Sequence, residues 1–264
     1  MSYRAVEENL RAAMRCYARA NKLGEARDYP GVSVAWCGMS CSIFNSALLN
    51  GPAREDDLRR VLTLAGTHFR QRGVGWTLWL CEDLLEEPVR KIVRRMMLDA
   101  GLDAIAQPPG MYAQQLQPEK YHVAGLHILP VEDDTTRLDF AHLSSVIFAL
   151  PFHTAKAIYA SVALWEGPMR GWVGYLNGQA VTLVSVVTGG GVTGVYSVGT
   201  LPEHQGHGCA ETIMRHALRE ARAATGNDAT VLQSTAAGLR LYTRMGYRPV
   251  TRFGVYIHEG WRRP

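Results

Sequence analysis

The stretch from Val192 to Arg222 constrains the fold more than any other part of the sequence. It begins with the β-branched and aromatic residues of VTGVYSVGT, which favour a β-strand. It then turns through a glycine-containing segment and continues as a predicted helix. The first N–H groups of that helix have no internal partner, so the turn is suited to an anion. The apolar residues at helical spacing are Ile213, Met214, Ala217, Leu218 and Ala221.

Three phosphate-binding patterns compete for this turn. A P-loop requires Lys and then Ser or Thr after the last glycine, where this chain has Cys209 and Ala210. A dinucleotide fingerprint requires Gly or Ala where Glu211 stands, and an acid after the next strand, which ends at Gln233. The pattern Gln-x-x-Gly-x-Ala, beginning at Gln205, resembles instead the acyl-CoA pyrophosphate loop of the GNAT superfamily of N-acyltransferases.

A second segment lies at the distance that this resemblance requires. Residues 229–233 (ATVLQ) predict a short buried strand after a Gly-Asn-Asp turn. A short helix carrying Leu241-Tyr242, then Gly246-Tyr247 and a final strand, resemble the C-terminal signature of the same superfamily. Gly246 suits the position after a helix, where φ is positive. The resemblance covers roughly residues 130–260.

The resemblance implies roles for individual residues in binding acetyl-CoA. Backbone groups of Val198 and Thr200 would contact the acyl carbonyl and the pantetheine arm, and Gln233 and Ser234 are further candidates for cofactor or water contacts. Tyr242 would be the general acid that protonates the leaving thiolate, unless it is only a packed aromatic. The pyrophosphate would bind the backbone N–H groups of Gln205, Gly206, His207, Gly208, Cys209 and Ala210.

The general base is not readable from the sequence. Many members of the superfamily carry Glu on or near the strand before the loop, where this chain has Tyr196 and Ser197. Glu203 and His204 lie in the loop itself and are expected to face solvent or the cofactor. A base that acts through ordered water is the expected alternative. A nucleophilic role for Cys209 is a minor alternative, since a helix N-terminus tends to lower a thiol pKa.

The first half of the chain predicts a second α/β unit with the same order of elements. It carries predicted helices at 1–23, 56–72 and 88–100, and predicted strands at 31–37, 43–49, 74–81 and 111–116. In the second half, predicted helices at 138–150 and 155–165 precede a hairpin at Asn177-Gly178 and then the loop.

We therefore expect an α/β (α+β) fold with two acyltransferase-like domains, each a mixed central sheet flanked by helices. Residues 1–120 would form a degenerate domain and residues 121–264 the catalytic acyl-CoA-binding domain. The turn at residues 50–53 (NGPA) lacks the loop pattern, so the first domain is expected to have lost the pyrophosphate site. An unrelated α/β cap is the alternative for this half.

Charge and cysteines exclude several classes of protein. The net charge of +4 is spread over interspersed acids and bases without a basic stripe, so a nucleic-acid partner is not expected. No apolar run reaches the ~18 residues of a membrane span, and the N-terminus lacks the apolar core of a signal peptide. Five scattered cysteines favour a reducing cytoplasm. Cys37 and Cys41 have no second ligand pair, so no metal is expected.

The prediction is a cytoplasmic N-acetyltransferase that moves an acetyl group from acetyl-CoA to a primary amine. Transfer would be direct, in a ternary complex, and the acceptor would be a small molecule such as a metabolite, an amino-acid derivative or an antibiotic. We expect a monomer or a homodimer without metal. The missing strand carboxylate keeps one alternative open, a non-catalytic acyl-CoA-binding sensor or interaction protein. A nucleotide-binding protein is the third hypothesis, and it predicts binding of ATP or NAD.

Overall fold

The first half of the chain begins with a helix whose apolar positions recur at helical spacing. The structure, a computed structural model, describes residues 2–259. In chain order the first elements are α1 (Ser2–Arg19), β1 (Glu25–Tyr29), β2 (Val32–Trp36), β3 (Ser46–Leu49), α2 (Glu55–Arg70), β4 (Trp76–Cys81), α3 (Glu87–Asp99), β5 (Asp103–Ala106) and β6 (Pro109–Ala113). All helices predicted for this half are therefore present, with ends shifted by a few residues.

The second half follows the order that the sequence predicted. Its elements are β7 (His127–Pro130), α4 (Asp134–Ile147), α5 (Phe152–Tyr159), α6 (Val162–Trp165), β8 (Met169–Leu176), β9 (Gln179–Gly189), β10 (Val192–Thr200), α7 (Cys209–Thr225), β11 (Thr230–Gln233), α8 (Leu239–Arg244) and β12 (Arg248–His258). The hairpin between β8 and β9 turns at Asn177 and Gly178, which both have positive φ, 50° and 81°. That geometry confirms the predicted turn.

Three predictions about local structure are wrong. β1 and β5 were not predicted; all of β5 and most of β1 are exposed, so neither shows a buried strand pattern. The helix predicted over residues 155–165 is two helices, α5 and α6. Ile92, predicted to face inward on α3, is 39% exposed. In each case the structure depends on strand pairing or packing between distant residues, which the local periodicity of the sequence does not contain.

The strands of the described residues form one mixed sheet in which the two halves exchange strands. The order is β1-β2-β3-β4-β12-β6-β11-β10-β9-β8-β7, and β5 also pairs with β12. The second part of β12 (Phe253–His258) lies between β4 and β5 of the first half. Conversely, β6 lies between β11 and the first part of β12 (Arg248–Arg252). Each half therefore completes its sheet with a strand of the other.

The two faces of the second-half sheet are covered by different helices. Neighbouring residues of β9 point to opposite sides, so Leu183 and Val184 belong to two separate apolar cores. The core around Val184 packs under α7 and includes Tyr242. The core around Leu183 includes α1, α4 and α5. Helix α1 of the first half thus covers the face of the second-half sheet opposite α7.

The exchange of strands bears on the predicted division at residue 120. β6 precedes that boundary but pairs with β11 and β12, so the division stays a prediction about the chain and is not a boundary in the sheet. Among residues 2–259, none of the helices combines the length and the apolar character that crossing a bilayer requires.

Candidate active site

The predicted glycine loop connects β10 to α7; residues 205–207 are exposed, whereas Gly208 lies beside Tyr121. Gly206 and Gly208 have positive φ, 79° and 93°, which glycine adopts without a Cβ penalty. Gly208 immediately precedes α7, and no side chain caps this end of the helix. A Cβ at Gly206 would meet no atom within 4 Å, and His207 beside it is exposed. The first-turn N–H groups, including that of Ala210, are therefore directed at a surface that suits an anion.

Gln205 ties the loop to the end of β10. Its side-chain Nε2 donates a hydrogen bond to the Thr200 carbonyl at 3.0 Å. Because the Leu201 N–H bonds the Val181 carbonyl, the adjacent Thr200–Thr182 pair is a non-hydrogen-bonded pair of the ladder. The N–H and carbonyl of Thr200 therefore point away from β9. With its carbonyl held by Gln205, Thr200 keeps its N–H for the predicted pantetheine contact.

Glu211, the third residue of α7, turns away from its own helix terminus. Its carboxylate accepts hydrogen bonds from the Lys120 backbone N–H at 3.2 Å, from Arg215 at 2.9 Å and from Arg244 at 3.0 Å. Burial raises the pKa of this carboxyl, but these hydrogen bonds outweigh burial and the net direction is downward. Glu211 therefore holds the segment between the halves against α7, while two guanidinium groups offset its charge.

The strand before the loop separates from its neighbour. β10 and β11 run parallel and pair only at Thr193–Thr230 and Gly194–Val231. Among the described residues no later pair joins them, although β11 continues to Gln233. The opening leaves backbone groups of β10 unpaired on the β11 side.

A bulge in β10 lies beside this opening and was not visible in the sequence. The register of β10 against β9 shifts between Tyr196 and Gly199, so Ser197 and Val198 lie outside the regular ladder. Ser197 has a φ of 49°, which is uncommon for a residue with a side chain. The backbone of Val198, predicted to contact the acyl carbonyl, is therefore irregular and adjacent to the opening.

Tyr242 lies on α8, in the core under α7. Its ring packs against the backbone of Gly238, where a Cβ would come within 2.5 Å of a ring carbon. Its hydroxyl makes no hydrogen bond to any of the described residues. Burial raises its pKa to about 12, so the phenol stays protonated across the neutral range. Tyr242 is therefore a hydrogen-bond donor without a partner among the described residues.

The two residues at the end of β11 differ in their availability. The Ser234 hydroxyl donates to the Thr235 carbonyl at 2.8 Å and its N–H bonds the Pro109 carbonyl. This geometry does not favour the predicted cofactor contact of Ser234. The side-chain Nε2 of Gln233, in contrast, is buried and has no hydrogen-bond partner among the described residues. Gln233 is therefore the better candidate for a polar cofactor contact.

The environment of Cys209 does not suit a nucleophile. The Cys209 thiol is buried, and burial raises its pKa instead of the helix N-terminus lowering it. A nucleophilic thiolate at Cys209 is therefore disfavoured. Within residues 2–259, no group of three or more His, Cys, Asp or Glu side chains is arranged to hold a metal ion.

The corresponding turn of the first half, between β3 and α2, is closed. The Asp57 carboxylate accepts the backbone N–H of Arg54 at 3.2 Å and caps the turn. Ala53 exchanges backbone hydrogen bonds with Leu84 and Glu86, at 2.8 and 3.2 Å. Three carboxylates occupy the first turn of α2, where they would repel a pyrophosphate. This geometry supports the expectation that the first half has lost the loop.

Residues 168–249 match the family model described as an acetyltransferase (GNAT) domain. This segment is similar to a GNAT domain. The matched segment runs from the start of β8 into β12, so it includes the glycine loop, the separated strands and Tyr242. No curated protein matches the chain.

Solved structures share the GNAT fold over most of the chain. A GCN5-related N-acetyltransferase from Kribbella flavida has a TM-score of 0.70 at 16% identity and covers 95% of this chain and 96% of its own. A functionally unknown conserved protein from Staphylococcus epidermidis has a TM-score of 0.65 at 15% identity, with 90% and 95% covered. A tandem GNAT protein from the clavulanic acid biosynthesis pathway has a TM-score of 0.55 at 13% identity, with 88% and 79% covered.

These comparisons confirm the resemblance to the GNAT superfamily and the predicted fold class. At such identities the likeness to solved structures concerns the fold. The assignment of the acyl donor, the acceptor and the individual site residues is therefore a proposal, argued from the geometry of this chain.

Proposed function

We propose that this protein transfers an acetyl group from acetyl-CoA to the primary amine of a small molecule, directly within a ternary complex. The observation that carries this proposal is the uncapped glycine loop, which opens beside the gap between β10 and β11. The pyrophosphate would bind the N–H groups of residues 205–210. The pantetheine arm would then follow β10 into the gap, past the Thr200 N–H, which points away from β9; the unpaired Gln233 Nε2 at the end of β11 would be a second donor.

The bulge would place the thioester at the reacting position. A backbone N–H at Val198 would stabilise the negative charge that develops on the carbonyl oxygen, since a donor fixed before the reaction needs no reorganisation. The amine nitrogen forms a bond to the carbonyl carbon, and the carbon–sulfur bond breaks. Holding both reactants together would supply much of the rate, so few reacting side chains are needed.

Tyr242 would assist the departing sulfur. A free thiol has a pKa of about 8.5, well below the value of about 12 for this phenol, so complete proton transfer is uphill in water. The same burial would also raise the pKa of the CoA thiol, because it disfavours the thiolate. Tyr242 would therefore act first by hydrogen bonding to the developing thiolate, with transfer of the proton as the bond breaks.

The first half would complete the enzyme without binding acyl-CoA itself. Its own turn is closed by Asp57 and by the bonds of Ala53, while α1 covers one face of the second-half sheet. We infer a degenerate domain over residues 1–120 that shapes the acceptor side of the cleft. The cysteines are all free, which is typical of a reducing compartment and supports a cytoplasmic location.

The proposal is tested by binding and turnover together. Isothermal titration should show acetyl-CoA binding, with ATP and NAD as controls that give no heat. A panel of small primary amines should then be acetylated in the presence of acetyl-CoA. Tyr242→Phe should lower kcat by about a hundredfold or more and leave acetyl-CoA affinity unchanged. Tyr112→Phe is the matched control, since its hydroxyl bonds only the exposed Gln114.

Three other outcomes would each show that a different part of the proposal is wrong. Acetyl-CoA binding without turnover of any amine would support the acyl-CoA-binding sensor. Binding of only longer acyl-CoAs would correct the donor. Failure to bind any acyl-CoA would overturn the proposal at the glycine loop.

A further inference from the structure

Five hydroxyl groups meet behind the bulge of β10, on the face of the sheet that α1 covers. Tyr17 of α1 and Tyr159 of α5 each place the hydroxyl oxygen 3.4 Å from Ser197 Oγ. Ser185 of β9 faces the Tyr17 hydroxyl, and Ser144 of α4 faces the Tyr159 hydroxyl. The five hydroxyls therefore follow one another from Ser185 through the bulge to Ser144, with hydrogen bonds at Ser197 and none of good geometry at the two ends, and we call them the hydroxyl series.

Both ends of the hydroxyl series have unused hydrogen-bonding capacity. Ser144 and Ser185 are completely buried, and neither hydroxyl has a hydrogen-bond partner of good geometry among the described residues. A buried unpaired hydroxyl costs about 1–3 kcal/mol. Ser197, in the middle, is held at positive φ. Two orphaned hydroxyls and a strained backbone at one place are typical of a functional site.

The surroundings of the hydroxyl series are aromatic and uncharged. The Tyr17 ring lies 5.0 Å from Phe44, and the Tyr159 ring lies 5.0 Å from Phe140. Burial raises the pKa of both tyrosines. Two further titratable groups interact with Tyr17: Cys16, whose pKa burial raises to about 11, and Tyr196, whose pKa burial also raises. All these groups stay neutral near pH 7, so they can pass a proton but not store a charge.

Tyr17 and Tyr159 of the hydroxyl series lie in the apolar core on one face of the sheet, and Tyr242 lies in the core on the other face. We propose that the hydroxyl series is a proton relay for the acceptor amine, with Ser197 as the first group to receive the proton. This inference rests on the proposed acetyl transfer and supplies the proton acceptor that the sequence lacks. It also assigns a chemical role to α1, which belongs to the half of the chain without a glycine loop.

The proton balance of the step is complete. A neutral amine attacks the carbonyl carbon, and its nitrogen becomes positively charged as the N–C bond forms. One proton leaves that nitrogen for Ser197 Oγ while each hydroxyl passes its own proton along the series. Water bonded at Ser144 or Ser185 carries the proton to solvent. On the other face, the sulfur takes a proton from Tyr242 as the C–S bond breaks, and solvent returns one to Tyr242.

The test removes one hydroxyl at a time from the folded, full-length protein. Tyr17→Phe, Tyr159→Phe and Ser197→Ala should each lower kcat by about a hundredfold, with KM for acetyl-CoA unchanged. Ser197→Gly removes the same hydroxyl while relieving the backbone strain, so it should lose as much activity as Ser197→Ala. The wild-type kcat should fall in D2O with a curved dependence on deuterium fraction, because several protons move together, and the curvature should vanish in Tyr17→Phe.

A neighbouring tyrosine provides the matched control. Tyr196 is buried on the same strand, but its hydroxyl donates to Asn9 Oδ1 at 2.7 Å and does not join the hydroxyl series. Tyr196→Phe should keep kcat within about twofold of wild type. Equal losses in Tyr196→Phe and Tyr17→Phe would mean a packing role and overturn the relay. Wild-type activity in both Tyr17→Phe and Tyr159→Phe would overturn it as well.

A readout without acetyl-CoA separates this inference from the proposed function. A crystal structure of the protein alone, at a resolution that shows water, should place ordered water on Ser144 and Ser185. Dry hydroxyls at both ends would overturn the relay even if the enzyme is active. Conversely, absence of turnover with every amine, in a protein whose hydroxyl series is hydrated, would refute the proposed enzyme and leave the hydration of the series standing.

Discussion

The turn before α7 and the turn before α2 hold equivalent positions in the two halves, and both have an acid at the third helical residue. In the first half, Asp57 turns back and caps its own helix. In the second half, Glu211 turns away, because Arg215, Arg244 and the Lys120 N–H bind it instead. The same type of residue at the same position therefore closes one helix end and leaves the other available.

This difference shows that the hydrogen-bond partners of one carboxylate can decide whether a helix N-terminus is available to bind an anion. A free carboxylate beside the first turn would compete with a pyrophosphate for the same N–H groups. Two guanidinium groups and a backbone donor remove that competition in the second half. In the first half, the backbone bonds of Ala53 also close the space into which a ligand would extend.

The largest effect is expected from a carboxylate placed on each turn. Gly208→Glu should weaken acetyl-CoA binding about a thousandfold, about 4 kcal/mol. The residue sits at a φ of 93°, its Cβ would approach Tyr121, and its charge would repel the pyrophosphate. Gly51→Glu, in the turn of the first half where a Cβ meets nothing, should leave affinity within twofold. Isothermal titration measures both, and equal losses would place a second acyl-CoA site in the first half.

The two carboxylates should also differ in what their removal costs. Glu211→Ala leaves Arg215 and Arg244 without their buried partner and should lower the free energy of unfolding by about 3 kcal/mol. Asp57→Ala removes a helix cap and should cost about 1 kcal/mol. Asp56→Ala, an exposed neighbour, is the control and should change little. Urea unfolding gives these values, and a cost at Asp57 as large as at Glu211 would contradict the comparison.

The contribution of Glu211 should depend on pH in one direction. Its pKa is lowered in the folded protein, so the unfolded chain takes up the proton first as pH falls. The stabilisation is complete above the unfolded value of about 4.3 and is lost below it. The difference in unfolding free energy between wild type and Glu211→Gln should therefore shrink from pH 6 to pH 3. A constant difference over that range would argue against a charged Glu211.

The smallest effect is expected from the amides that hold each turn. Gln205→Ala removes the hydrogen bond to Thr200 and should weaken acetyl-CoA binding about fivefold, near 1 kcal/mol. Asn50 also donates a side-chain amide hydrogen bond in the other turn, from Nδ2 to the Tyr29 carbonyl of β1 at 3.0 Å. Asn50→Ala should reduce stability but not affinity. A matching loss of affinity in Asn50→Ala would show that both turns support the cofactor.

The sequence predicted the parts of the fold that local chemistry controls. The helix after the glycine loop, the Asn177-Gly178 hairpin and Gly246 depend on periodicity or on positive φ. The strand exchange was beyond such reasoning, because it depends on which edges of the sheet meet. β5 shows the limit, since all four of its residues are exposed and only its pairing to β12 makes it a strand.

In the candidate site, too, only the features that depend on local sequence could be predicted. The loop could be found because its glycines are needed at fixed spacing. The bulge at Ser197 could not, since its residues look like an ordinary strand and the register shift appears only against β9. The partners of Glu211 and the approach of Tyr17 to Ser197 are contacts between residues far apart in sequence. A local sequence pattern therefore cannot predict these contacts.

The exchange of strands also has a consequence for the order in which the protein can mature on the ribosome. The gap between β4 and β5 is filled by Phe253–His258, which are synthesised after all the other described strands. The first half is made first, yet its sheet keeps open edges until the second half has been translated. Unpaired edges are open to pairing with other chains during that interval. The sheet of the first half is therefore completed only after the second half has been translated.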